Sequence, residues 1–85
     1  MTYTEVQEAV QMLVEFSPRG EIRPLAFVWG GRRHRVKQTT FRWCTGRGRE
    51  TCRHFAVTTE SDDSLQLTYR EESATWWIEQ VWTAG

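Results

Sequence analysis

The sequence holds 85 residues, 39% of them apolar, with five Trp, four Phe and two Tyr; these suffice for one small core, although a chain this short buries only about 60% of the surface it exposes unfolded. Its 11 basic and 11 acidic residues cancel, unlike a dedicated nucleic-acid domain, whose isoelectric point usually exceeds about 9. No apolar run approaches the roughly 18 residues of a membrane span, no basic-then-apolar leader opens the chain, Asn is absent and two cysteines are too few for a secreted disulfide framework, so the expectation is a cytoplasmic protein with a single small β domain over residues 1–85.

The opening run TYTEVQEAVQMLVEF reads two ways. Thr4 with Gln7 fits a capping box, and Val6, Ala9, Val10 and Leu13 recur at helical spacing. Val10, Met12, Val14 and Phe16 instead alternate as a strand does. The expectation is a short helix over residues 4–9 running into a first strand. SPRGE, residues 17–21, has Pro and Gly placed for a tight turn. LAFVW, residues 25–29, is apolar on both faces, as in a strand covered on both sides or crossing a small barrel. Gly30 and Gly31 form a two-residue loop, where glycine accepts the positive φ of primed hairpin turns. Trp29 and Arg32, Phe27 and His34, and Leu25 and Val36 then become cross-strand partners. The opposite face carries Ala26 and Val28 beside a basic stripe of Arg33, Arg35 and Lys37.

Parity changes between Val36 and the pair Phe41 and Trp43, which predicts a bulge within residues 37–40. TGRGRET, residues 45–51, turns the chain back. Opposing Cys44 to Cys52 sets Arg42 against His54 and Phe41 against Phe55, so that Phe41, Trp43, Phe55 and Val57 form the buried side. Residues 61–63 turn, Leu65, Leu67 and Tyr69 alternate as a fifth strand, and WWIEQVW makes a sixth. Six short strands with turn signals between them predict an all-β fold, a six-stranded meander or partly closed barrel with the short N-terminal helix.

FVWGGRRHRV, Arg42-Trp43, RHFAVTT and WWIEQVW follow one another in an order that resembles a known pattern: an apolar strand ending in Trp, a Gly turn, R-R-x-R-V, a later R-W, an aromatic strand, and W-x-x-E-x-V. Over about residues 10–82 this order resembles a small bacterial domain of unknown function. It is similar to the C-terminal segment of the catalytically inactive Y-family polymerase subunit in bacterial mutagenic-repair systems. The resemblance implies the β fold and a link to DNA repair or to protein interaction.

Charge is unevenly spread. Residues 32–53 hold seven Arg and Lys37 against Glu50, between acidic flanks. Arg33, Arg35 and Lys37, with Arg47, Arg49 and Arg53, are the candidate nucleic-acid contacts, because small barrels present such faces and aromatic rings beside Arg stack on unpaired bases. A solvated charged face is the alternative. Trp76 and Trp77 point opposite ways on a strand; with Trp82 they make the last strand a candidate protein interface, Trp beside Arg being the composition of interface hot spots. Cys44, Cys52, His54 and His34 are the possible zinc ligands, but C-x7-C-x-H is not a tight knuckle, and no metal or other cofactor is expected. Cys52 has His54 two residues on without a visible acid to orient it, so catalysis is not expected either. The reading is a non-enzymatic accessory binding module. Its partner is nucleic acid, through the basic hairpin in a DNA-repair context, or else another protein or a second copy, through an exposed Trp of the last strand. No membrane and no small-molecule substrate is evident.

Overall fold

The structure, a computed structural model, describes residues 2–47 and 49–83, and of residue 47 the main chain alone. Six strands follow in chain order: β1 Thr2–Phe16, β2 Ile22–Trp29, β3 Arg32–Arg47, β4 Glu50–Thr59, β5 Ser64–Arg70 and β6 Thr75–Thr83. Each pairs antiparallel with the next, and β1 returns to pair with β6. The expectation of six strands and an all-β fold holds. The expected helix over residues 4–9 does not: no helix occurs among the described residues, and that segment is strand.

The expected partly closed barrel is also corrected. β1 pairs with β6 through residues 2–10 and with β2 through residues 11–16. β3 pairs with β2 through residues 32–35 and with β4 through residues 36–47. A barrel wall would bond each strand to neighbours on both sides along its height. Here neither long strand has two strand partners at one level, so the ring consists of a three-stranded and a five-stranded sheet that share β1 and β3.

β1 is a strand because its even positions form the inner stripe. Val6, Val10, Met12 and Val14 all pack on the core. Glu8 interrupts that stripe, and its carboxylate accepts the Trp29 indole N–H at 3.0 Å. Gln7 has φ +51° and lies in a register shift between Glu5 and Glu8, a β-bulge; Ala9, the outward partner of Trp77, is exposed.

Gly30 and Gly31 both have positive φ, +62° and +73°, as a primed two-residue turn requires. Trp29 pairs with Arg32 and Phe27 with His34 as expected, but the ladder ends at Ala26 and Arg35, so Leu25 does not meet Val36. Register shifts at Val36/Gln38 and Thr39/Phe41 supply the expected bulge. Beyond it the register differs by one residue from the expectation. Thr45 faces Cys52, Trp43 faces His54 and Phe41 faces Ala56, because pairing continues to Arg47 and Glu50. A slip of one residue exchanges the two faces of a strand. Phe41 is therefore 64% exposed and Trp43 stands outside, while Phe55 and Val57 remain in the core.

The core joins Ile22 and Phe27 of β2 to Phe55, Val57, Leu65, Leu67, Trp76, Ile78 and Val81 of β4 to β6. Each large side chain fully withdrawn from water contributes about 1.5–3 kcal/mol. The Trp76 ring lies 5.3 Å from Phe55 and 5.0 Å from Tyr69. Among the described residues no helix is long and apolar enough to cross a membrane.

Candidate functional site

Direct strand partners align Trp43, His54, Thr68, Trp77 and Ala9 in one row across the outer face of the five-stranded sheet. Trp43 stacks on His54 at 5.2 Å between centroids and 15° between planes. Beneath it His54 is 8% exposed; Nε2 lies 2.7 Å from Thr45 Oγ1 and Nδ1 3.0 Å from Thr68 Oγ1. Each hydroxyl can donate or accept, so the imidazole is satisfied at both nitrogens. Glu79 Oε1 stands 3.8 Å from Nδ1, beyond hydrogen-bond reach. A buried histidine capped by an indole and bonded twice fixes the row in place; the indole also keeps outside molecules from its ring.

Phe41 extends the row, 5.5 Å from Trp43, and the Arg70 guanidinium lies 4.1 Å over the Trp77 ring. On the other flank Tyr3 donates to Gln80 Oε1 at 2.9 Å, Gln80 donates to Gln66 Oε1 at 2.6 Å, and Gln66 donates to Glu79. Tyr3 and Trp82 close this end with ring centroids 5.3 Å apart. The result is an outward face of large rings held in place by polar ties, with one prominent cation.

Of the three tryptophans expected at an interface, Trp76 belongs to the core at 7% exposure. Trp77 and Trp82 are half-buried, and Trp76 and Trp77 do point opposite ways. The basic candidates are dispersed. Arg33 and Arg35 are exposed on the outer side of the three-stranded sheet, opposite Val28 and Ala26. Lys37 reaches Asp62 at 3.5 Å, and Arg53 Nε donates to Glu71 at 3.1 Å. Arg49 is exposed at the far hairpin tip, and the Arg47 side chain lies outside the described residues. At about 3.3 Å per residue the run from Arg35 to Arg47 spans up to about 40 Å, comparable with the longest dimension of the molecule, 39 Å. The five described side chains, Arg33, Arg35, Lys37, Arg49 and Arg53, do not form one patch.

Cys44 and Cys52 are free thiols on opposite faces of the sheet, as their partners Arg53 and Thr45 require. His34 stacks on Phe27 in the other sheet, 5.1 Å away. Among the described residues no three metal-ligating side chains cluster. A hollow of about 600 Å³ lies between the β3–β4 and β5–β6 turns and sets Arg70 against Glu50 and Glu72, so its lining among the described residues has no net positive charge for an anion.

Sequence reasoning missed Phe41 and the tie of Thr45, His54 and Thr68. The available signal was the odd parity that Phe41 and Trp43 share with Thr45. Fold and face together define an all-β ring with an aromatic outer sheet. Comparison of the chain with family models, with curated proteins and with solved structures gives no match.

Proposed function

We propose that this chain is a non-enzymatic protein-interaction module that binds a partner polypeptide on the outer face of the five-stranded sheet, beside β3. The observation that carries this is the outward row of Phe41, Trp43 and Trp77. A chain of this size gains most by burying such rings, and here a one-residue register keeps Phe41 in water. Aromatic rings with an adjacent arginine are the side chains that dominate interface energetics. The nucleic-acid alternative has less support, because the basic stripe of Arg33 and Arg35 lies on the other sheet from these rings, which leaves Arg70 on Trp77 rather than a positively charged groove to follow a phosphate backbone.

Selection of short random peptides against the folded protein tests the reading, with Phe41→Ala and Trp77→Ala as counter-targets. Enriched peptides should lose about tenfold or more in affinity on at least one variant. If none enriches above an unrelated β protein, or if both variants bind unchanged, the reading fails. A salt series with oligo-dT checks the alternative, whose affinity should fall with a log-log slope of about 0.7 per phosphate neutralised.

A further inference from the structure

Beyond the pair Ala26 and Arg35, β2 and β3 separate and the ring has a gap. One bank is residues 38–47 of β3, paired with β4 alone. The other is the turn in which Gly20 N–H donates to Ser17 C=O. The cleft between them, about 200 Å³, reaches the core residues Ile22 and Phe55 and is rimmed by Arg19, Arg42 and Arg53 against the single carboxylate of Glu21. Arg53 is already bonded to Glu71. Arg42 rests 5.8 Å from the Phe55 ring centroid, and neither Arg19 nor Arg42 has an ion-pair partner among the described residues.

We propose that this gap takes an extended, acidic segment of a partner protein as an added strand on the free edge of β3. The N–H and C=O groups of an unpaired edge are a template for such addition. Side chains of the added strand alternate. One set meets Ile22 and Phe55 with carboxylates at Arg19 and Arg42, and the other lies beside Phe41 and Trp43. The inference rests on the interaction-module reading and names its partner chemistry. A second copy fits less well. Its β3 would set Arg42 against a like charge, and its β1, though acidic, is interrupted at Gln7 by the kind of bulge that turns an edge away from pairing. Nucleic acid has no alternating backbone amides to offer the edge.

The test is an amide chemical-shift titration with a soluble nine-residue peptide alternating Glu and Val, compared with its Lys and Val counterpart. The expected result is saturable binding of the Glu peptide. Shifts should fall in residues 39–46 and 19–22, affinity should drop about tenfold on Arg42→Glu or Arg19→Glu, and the Lys peptide should bind at least about tenfold more weakly. Equal binding of the two peptides overturns the proposal, as does no binding at millimolar peptide. Shifts confined to Gln66, Thr68 and Trp77 overturn strand addition but leave the interaction module standing. A sedimentation mass of two chains that returns to one on Arg42→Glu would make a second copy the occupant and overturn the acidic partner. Displacement of the peptide by stoichiometric oligo-dT would do the same in favour of nucleic acid.

Discussion

Both long strands, β1 and β3, cross from one sheet to the other and are paired along one side at each level, yet their free edges differ in the features that govern strand addition. The β1 edge carries Glu5 and Glu8 around the left-handed Gln7, so charge and a bulge both discourage pairing. On β3 the register shifts end before Phe41, and residues 41–47 pair with β4 without interruption, with Arg42 the only charge before Arg47. The two edges arise from the same topological device. What separates them is where the bulges fall: in the middle of the β1 edge, and at the start of the β3 edge, which runs on unbroken from Phe41.

The comparison presumes one core beneath both strands, and the largest expected effect tests that. Leu67, at 0% exposure, lies in β5 between the two; Leu67→Ala should cost about 2–5 kcal/mol in denaturant unfolding. A loss below about 1 kcal/mol would mean that the ring is held some other way. Next, Thr68→Val removes the Nδ1 partner of His54 and should cost about 1–3 kcal/mol, with altered Trp43 fluorescence and recovery in Thr68→Ser. An unchanged stability would detach the row of rings from its proposed anchor. The smallest effect sharpens the β1 side. Glycine accepts positive φ without the penalty of about 1 kcal/mol that other residues carry, so Gln7→Gly should raise stability by up to about 1 kcal/mol in thermal unfolding. A clear loss would contradict the left-handed bulge.

Much of this was legible from residues alone where local chemistry decides. Gly30-Gly31 between apolar and arginine-rich runs dictates the hairpin, and the parity change after Val36 dictates the bulge that follows. The helix expected at residues 4–9 failed because Glu8 hides the alternation that Val6 shares with Val10 and Met12, and only the Trp29 indole explains a carboxylate there. The register of β3 on β4 failed because Thr45, Gly46 and Arg47 have turn composition yet continue the strand. That single slip carried Phe41 and Trp43 from core to surface. The row of Trp43, His54, Thr68 and Trp77 depends on the registers of four strands at once, and no local pattern encodes it.

Native-state hydrogen exchange on the free monomer tests the central claim, that β3 is an open edge, most directly. Every second amide in residues 41–46 should exchange fast, because it points away from β4, while the amides of residues 54–58 in β4, bonded on both sides, exchange slowly throughout. Uniformly slow exchange along residues 41–46 would mean a strand bonded on both sides, and would contradict the account.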